Sequence, residues 1–148
     1  MNLMSTLNTP GTAVAEAGLT VCGTDVTGFG LLGHLIGICR ESGLTARLQA
    51  DAIPAIGDQV LTLIESGCVP GGTKKNLESA RPKVAFGEQV SEALQILLAD
   101  AQTSGGLLLA IAPDKESQAK EVLLQAGAPI VTKIGELIVE GESAVVIE

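Results

Sequence analysis

A β-strand pattern followed at once by a glycine-rich turn and an apolar helix limits this chain to a small set of folds. Residues 20–24 form a short β-like run that ends at Asp25, and three glycines follow it in G-x-G-x-x-G spacing: Gly28, Gly30 and Gly33. The apolar stretch 31–42 predicts a helix. Residues 44–49 then alternate apolar and polar side chains, as in a half-buried strand. A strand, a helix and a second strand in this order predict an α/β arrangement.

The remaining patterns extend this arrangement over the whole chain. We expect further helices over 1–18 (broken at Pro10-Gly11), 56–65, 88–98 and 115–126. We expect further strands over 107–112, an aliphatic run that suits a central strand, and over 131–139 and 144–147, joined as a hairpin through 140–142. The pattern dissolves between 69 and 86, where we expect a long polar loop of functional importance. The predicted fold class is α/β (α+β), with helices packed on a mixed β-sheet in one domain over residues 1–148.

Composition excludes several classes of function. The chain has 148 residues with 46% hydrophobic side chains, so it can bury a core, and its net charge is −8. Its nine Lys and Arg residues are scattered, so we expect no nucleic-acid partner. No apolar run reaches membrane-spanning length and no secretory signal is visible, so we expect no membrane association and a cytoplasmic protein.

The three cysteines Cys22, Cys39 and Cys68 have no C-x-x-C spacing. We expect them to be small buried hydrophobic residues in a reducing compartment. A reactive thiol at Cys22, near the glycine-rich turn, is the alternative.

The glycine motif allows two functional interpretations. In the first it is a dinucleotide-binding turn, with Asp51, 18 positions after Gly33, on the ribose; against this, no third parallel strand follows promptly. In the second, Asp25 at a strand end holds Mg²⁺ while backbone groups approach phosphate oxygens, since magnesium favours one or two carboxylates, waters and phosphates. A structural alternative also stays open, in which Asp25 only forms a turn or a helix cap.

Four sequence blocks in order carry a resemblance to a known family. They are Met4-Ser5-Thr6-Leu7-Asn8, Thr24-Asp25-Val26-Thr27-Gly28-Phe29-Gly30-Leu31-Leu32-Gly33-His34, Pro70-Gly71-Gly72-Thr73-Lys74-Lys75-Asn76 and Gln102-Thr103-Ser104-Gly105-Gly106-Leu107-Leu108. Together they closely resemble the C-terminal half of selenophosphate synthetases (selenide, water dikinases). This family belongs to a wider group that includes aminoimidazole ribonucleotide synthetase, whose C-terminal domain gives the expected fold.

The resemblance implies a composite active site. The family makes selenophosphate from selenide and ATP with Mg²⁺, releasing AMP and orthophosphate, in the cleft of a homodimer. An N-terminal domain, absent from this chain, carries most of the ATP site and a reactive Cys or selenocysteine, so we expect the isolated chain to be inactive. The resemblance makes Asp25 a Mg²⁺ ligand, and we expect Thr27, Gly28 and Gly30 to shape the loop at the nucleotide. The alternatives are a related ATP-dependent synthetase domain and a mainly structural partner of the N-terminal half.

Three further features invite a functional interpretation. His34 has no second histidine to pair with, and we expect it on the helix surface or in a capping role. Lys74 and Lys75 are expected at an exposed loop tip, with contact to substrate phosphates as the alternative. Residues 103–106 fit equally an anion-binding nest of backbone N–H groups and a tight turn into the next strand.

Overall fold

The computed structural model describes residues 2–57, 59–139 and 141–148, and the side chains from Met4 onward within these ranges. The chain divides into two compact units. The first contains the residues up to Val26 together with Ser104–Thr132, and the second contains Thr27–Thr103 and Lys133–Glu148. The Thr24–His34 block is therefore divided, because Asp25 belongs to the first unit whereas Thr27 and the three glycines belong to the second. That residues 1–148 form one domain stays a prediction.

The first unit is built on a two-stranded antiparallel sheet. Its elements are α1 (Asn2–Ser5), α2 (Pro10–Glu16), β1 (Thr20–Asp25), β4 (Leu107–Ile111), a 3₁₀ turn (Pro113–Lys115) and α7 (Glu116–Gln125). Strand β1 pairs with β4 from Thr20 opposite Ile111 to Asp25 opposite Leu107, with one bulge between Thr20 and Cys22. The pairing puts Asp25 at the end of β1, beside the turn that precedes β4.

The core of the first unit lies between the helices and one face of the sheet. Val14, Leu19 and Ala119 are buried, and partly buried side chains pack against them: Leu109, Ile111, Val122 and Leu123. Gly11 permits close packing of α2 on β4, because a Cβ atom there would lie 2.6 Å from Leu107 Cδ2. The alternate residues of β4 therefore face the helices, which fixes the register of the strand.

The second unit contains a four-stranded mixed sheet. Its elements are α3 (Gly30–Ser42), β2 (Thr45–Leu48), a 3₁₀ turn (Ala50–Ala52), α4 (Val60–Glu65), α5 (Gly71–Ala80), a second 3₁₀ turn (Arg81–Lys83), β3 (Val84–Phe86), α6 (Glu92–Leu98), β5 (Gly135–Ile138) and β6 (Val145–Ile147). The strand order is β3-β6-β2-β5. β6 runs parallel to both β2 and β3, and β5 runs antiparallel to β2.

Helix α3 packs its apolar face on this sheet and on the neighbouring helices. Leu32, Leu35 and Cys39 are buried at helical spacing, and α3 contacts β2, β6, α5 and α6. Gly43 ends the helix in the left-handed conformation at φ 69°, and its N–H donates to the Cys39 carbonyl. Both the predicted helix and its predicted end are therefore confirmed.

The predicted fold class is confirmed, and most predicted elements are present. The α2, β1, β2, α6, β4 and α7 segments overlap the predicted helices and strands. The helix predicted over 56–65 begins only at Val60. One residue of that prediction, Asp58, lies outside the described residues. None of the described helices is long and apolar enough to cross a bilayer.

The prediction of a long polar loop between 69 and 86 is wrong. Helix α5 occupies Gly71–Ala80, and β3 follows the 3₁₀ turn after it. Thr73, Leu77 and Ala80 are buried, and their spacing is that of one helical face. Only three small or medium side chains form this face, and two glycines open the helix, so the apolar pattern was too weak to indicate it.

Two strand predictions are also corrected. β5 and β6 do not form a hairpin, because β2 lies between them in the sheet. The segment between β5 and β6 is hydrogen-bonded to β2 instead. The Ala46 N–H donates to the Ala144 carbonyl, and Thr45 Oγ1 donates to the Ser143 carbonyl. Glu140 of the predicted turn lies outside the described residues. β4 is not a central strand, since within the described residues it pairs with β1 alone. Leu109 and Ile111 of its aliphatic run pack against the core that the helices of the first unit form.

Candidate functional site

In the first unit, Asp25 is held by a side chain from the N-terminal block. Asn8 Nδ2 donates hydrogen bonds to Asp25 Oδ1 at 2.7 Å and to the Gly105 carbonyl at 3.1 Å. The backbone N–H of Val26 donates to the Gly106 carbonyl at 2.9 Å, which continues the β1–β4 pairing past Asp25. Three of the four blocks recognised in the sequence therefore meet at this exposed carboxylate.

This arrangement leaves the Asp25 carboxylate able to bind a cation. The two N–H bonds of the Asn8 amide serve two different acceptors, so Asp25 Oδ2 and further lone pairs on Oδ1 remain. Among the residues that the structure describes, no group of three or more His, Cys, Asp or Glu side chains forms a metal cluster. A cation at Asp25 would therefore need phosphate oxygens, waters or further protein ligands, which is the usual environment of Mg²⁺.

In the second unit, both the backbone N–H and the backbone carbonyl of Thr27 are hydrogen-bonded. Its N–H donates to His34 Nε2 at 3.0 Å, and its carbonyl accepts from the Gly30 N–H at 3.0 Å and the Gln102 N–H at 3.1 Å. Thr27 Oγ1 also lies 3.0 Å from His34 Nε2. His34 is half-buried on α3, and its imidazole therefore accepts a hydrogen bond from the turn that precedes the helix.

Gly28 and Gly30 serve different purposes in the turn. Gly30 has φ +68°, and a Cβ atom there would lie 2.6 Å from the Ala99 carbonyl carbon. Gly28 is exposed, with open space around its Cβ position, and its carbonyl accepts from Asn76 Nδ2 at 2.8 Å. Gly30 is therefore required by backbone strain and by close packing, whereas Gly28 leaves room at the surface of the turn.

The 70–76 block supports this turn from helix α5. Besides Gly28, Asn76 Nδ2 donates to the Ala99 carbonyl at 3.1 Å, and the buried Thr73 Oγ1 donates to Asp100 Oδ1 at 2.5 Å. Lys74 and Lys75 are exposed as expected, although they lie on a helix and not on a loop. Thr73 and Asn76 thus tie this block to the glycine turn and to residues 99 and 100.

The glycine turn is not a dinucleotide-binding turn. That motif needs both strands flanking the helix in one parallel sheet. Here β1 pairs with β4, whereas β2 belongs to the four-stranded sheet. Gly33 is small because a Cβ atom there would lie 2.6 Å from Phe29 Cβ, not because a pyrophosphate approaches it.

The 103–106 segment is better explained as a turn than as an anion-binding nest. Neither Gly105 nor Gly106 has a positive φ. Their carbonyls, not their N–H groups, make the hydrogen bonds described above, to Asn8 and Val26. The segment therefore closes β4 against β1 and orients Asn8.

The cysteines differ from one another in exposure. Cys22 and Cys68 are exposed, so the expectation that all three are buried is wrong for these two. Cys39 is buried in α3, and burial raises the pKa of its thiol while a backbone hydrogen bond with Ala46 partly opposes that rise. Cys22 lies in a stretch of β1 in which the neighbouring Val21 and Gly23 are exposed as well.

The sequence did not identify several residues that organise the site. Asn8 and Asn76 stood inside the recognised blocks without a role, and Gln102 and Asp100 were taken as turn residues. Asn8 donates to groups 17 and 97 positions away, and Asn76 donates to carbonyls 48 and 23 positions away. Such contacts depend on the tertiary fold, so the only signal was the presence of amide side chains inside glycine-rich blocks.

Comparison with known proteins agrees with the sequence blocks. A Pseudomonas aeruginosa protein named selenide, water dikinase is 43% identical over 135 residues, covering 91% of this chain and 38% of that relative. A Yersinia pseudotuberculosis protein of the same name is 45% identical over 134 residues, covering 90% of this chain and 37% of the relative. The chain thus spans well under half the length of these relatives. The resemblance inferred from the sequence is confirmed.

The fold has a counterpart among solved structures. A structure described as T. maritima PurL complexed with FGAR matches with a TM-score of 0.51 over 84% of this chain and 15% of that chain. At 16% identity this likeness shows the fold alone. The sequence matches the family described as "AIR synthase related protein, C-terminal domain" over residues 3–148. Because this match takes in nearly the whole chain, the protein belongs to the AIR synthase related protein, C-terminal domain family.

Proposed function

We propose that this chain works as the C-terminal domain of a selenide, water dikinase, converting selenide, ATP and water into selenophosphate, AMP and orthophosphate. The proposal is supported by relatives of that name at 43% and 45% identity. The observation that carries the proposal is the pair of hydrogen bonds from Asn8 to Asp25 and Gly105. These bonds bring three of the four recognised blocks together at one carboxylate. The product phosphates balance, because AMP, orthophosphate and selenophosphate each take one phosphorus of ATP.

Asp25 is the proposed Mg²⁺ ligand of this domain. Its side chain is exposed, and Asn8 orients it through Oδ1 without neutralising its charge. Bound Mg²⁺ would neutralise charge on the nucleotide phosphates and orient them. The remaining ligands would come from ATP, water and the rest of the enzyme, in keeping with the lack of a three-residue cluster in the described part of the chain.

Thr27, Gly28 and Gly30 form the proposed nucleotide-side turn of the motif. Gly28 is exposed with open space at its Cβ position, so a phosphate group could approach the backbone there. Gly30 keeps the turn closed on Ala99, and Asn76 fixes the Gly28 carbonyl. The protein's part is therefore to present a rigid turn, which lowers the entropy lost on binding.

The partners of this domain are the rest of the enzyme and, through it, a second subunit. We propose that the remaining portion carries the main ATP surface and the reactive thiol or selenol, and that the whole enzyme is a homodimer. Val21 in β1 is 80% exposed and Phe29 in the turn is 68% exposed, and by this proposal the rest of the enzyme covers such apolar side chains. By this proposal the chain alone is inactive.

The same exposed side chains favour one other function, a mainly structural domain that only completes the cleft. The two functions differ in what they require of Asp25. A structural domain needs its packing surfaces but not an exposed carboxylate. A metal-binding domain loses activity when that carboxylate is replaced, even if its fold and its interface are intact.

To test the proposal, this chain is fused to the part of the Pseudomonas aeruginosa relative that lies outside the matched 135 residues. The product is called the joined protein or joined enzyme. The part from the relative alone should form no AMP from ATP when selenide is supplied. The joined protein should form AMP in proportion to selenide. A joined protein that folds, assembles and binds ATP, yet forms no AMP, would contradict the proposal.

A further inference from the structure

The hydrogen-bond partner of His34 determines which nitrogen of its imidazole ring carries the proton. His34 is the only histidine of the chain and is half-buried on α3. The N–H of Thr27 lies 3.0 Å from Nε2 and, as a backbone N–H, can only donate. Nε2 must therefore carry a lone pair, which places the ring proton on Nδ1 and makes the imidazole neutral.

This tautomer determines what the Thr27 side chain can offer to a ligand. Since Nε2 carries no hydrogen, Thr27 Oγ1 cannot accept a hydrogen bond from it across their 3.0 Å separation. The hydroxyl either donates to Nε2 or turns its hydrogen elsewhere, and both oxygen lone pairs stay available. The backbone N–H and carbonyl of Thr27 are already used by His34, Gly30 and Gln102.

Packing holds the imidazole in this position. The rings of Phe29 and His34 meet edge to face, with centroids 6.1 Å apart and an interplanar angle of 66°. Phe29 reaches the first turn of α3 because Gly33 has no Cβ atom to obstruct it. The turn is thus folded back on the helix at two points, Thr27 on His34 and Phe29 on Gly33.

We propose that His34 is a positioning residue of the nucleotide-side turn, acting through Thr27 as a neutral, Nδ1-protonated imidazole. Its Nε2 holds the Thr27 N–H away from the ligand, so that Thr27 presents its hydroxyl oxygen as an acceptor. This oxygen can accept a hydrogen bond from a ligand that carries a donor. The proposal rests on the proposed function for its kinetic consequence, but the tautomer and the hydrogen bond do not.

The first test uses nuclear magnetic resonance on the 148-residue chain itself. Because there is one histidine, the imidazole nitrogen signals need no assignment. We expect the Nδ1–H tautomer at neutral pH, together with a Thr27 amide that is protected from hydrogen exchange. An Nε2–H tautomer, or a Thr27 amide that exchanges at the rate of an open loop, would overturn the proposal whatever the enzyme does.

The second test uses three substitutions in the joined enzyme and in the chain. His34→Gln keeps an acceptor at about the reach of Nε2, His34→Asn places its acceptor at the shorter reach of Nδ1, and His34→Leu has no acceptor. We expect kcat/KM for Mg-ATP to stay within about threefold in the Gln variant and to fall roughly 10- to 100-fold in the Asn and Leu variants. Thr27 amide protection should follow the same order.

The two tests separate the two proposals. Equal losses in all three variants, with equal loss of Thr27 protection, would mean that His34 only fills space. An inactive joined enzyme with the Nδ1–H tautomer and the Gln-specific protection intact would contradict the proposed function and leave the positioning role standing.

Discussion

The amide nitrogen of Asn8 lies 2.7 Å from Asp25 Oδ1 and 3.1 Å from the Gly105 carbonyl, so one side chain joins segments 17 and 97 residues away. An exposed carboxylate at a strand end has no fixed orientation of its own. Asn8 supplies that orientation, while the β1–β4 pairing fixes the backbone of Asp25. A carboxylate that is oriented but still charged and accessible is what a cation site needs.

Replacement of Asp25 tests the metal role directly. Asp25→Asn keeps the size of the side chain and removes its charge, so we expect selenide-dependent AMP formation by the joined enzyme to fall roughly 100-fold or more. The melting temperature should not change, because the side chain is exposed. Glu16→Gln, at an exposed carboxylate of the same unit, is the control and should be as active as the unchanged protein. Near-normal activity of Asp25→Asn would rule out the ligand role.

Replacement of Asn8 tests the orientation of that carboxylate. Asn8→Ala leaves Asp25 charged but unheld, so we expect the Mg²⁺ concentration for half-maximal activity to rise about 10-fold, with a smaller change in kcat at saturating Mg²⁺. The measurement is a Mg²⁺ titration of the initial rate, with Gln118→Ala, at an exposed site of α7, as the control. An unchanged Mg²⁺ dependence would mean that Asn8 serves the fold alone.

Gly30 tests the packing of the turn. A Cβ atom at φ +68° would meet Ala99 and Asp100, so we expect Gly30→Ala to lower the free energy of unfolding by about 2–4 kcal/mol. Gly37→Ala is the matched control, since it lies inside α3 with open space at its Cβ position and should raise stability by about 0.5–1 kcal/mol. Denaturant unfolding measures both. Equal stability of the two variants would show that the turn does not pack on residues 99–100 as described.

Asn76 tests the link between α5 and the turn. Asn76→Ala leaves the Gly28 and Ala99 carbonyls without their amide donor, so we expect a loss of about 1–2 kcal/mol in unfolding free energy. Faster hydrogen exchange should appear around residues 27–30. The neighbouring exposed Lys75→Ala is the control and should change neither quantity. A loss of unfolding free energy in Lys75→Ala equal to that in Asn76→Ala would contradict the support of the turn by the Asn76 amide.

The thiols test the fold of the second unit without any assay of function. Thiolate is the reactive form, and burial both raises the pKa of Cys39 and blocks access to it. We therefore expect the thiols of Cys22 and Cys68 to be alkylated rapidly in the native protein at neutral pH. The thiol of Cys39 should be alkylated only when the protein unfolds. Rapid labelling of all three in native protein would contradict the packing of α3 on the sheet.

The sequence predicts the local elements better than the contacts between distant ones. Helix α3 and its end at Gly43 were predictable, because apolar spacing and a glycine cap are local signals. Helix α5 was missed because its buried face has only Thr73, Leu77 and Ala80. The position of β2 between β5 and β6 was missed because strands that follow one another in sequence usually pair. No local sequence pattern indicates that a third strand lies between them.

The site was predictable at Asp25 and less so around it. Asp25 stood out as a carboxylate at a strand end, and its ligand role stays a prediction. Asn8, Asn76 and His34 gain their partners only when the chain is folded. An amide or an imidazole in a sequence block does not reveal which backbone group it will bind.

Phosphorus nuclear magnetic resonance of the joined enzyme, with Mg-ATP and with or without selenide under anaerobic conditions, tests the central claim most directly. The proposed function predicts AMP, orthophosphate and a new phosphorus–selenium resonance that appear only with selenide and are lost in Asp25→Asn. Intact ATP in the presence of selenide, in a protein that folds and assembles, would contradict it.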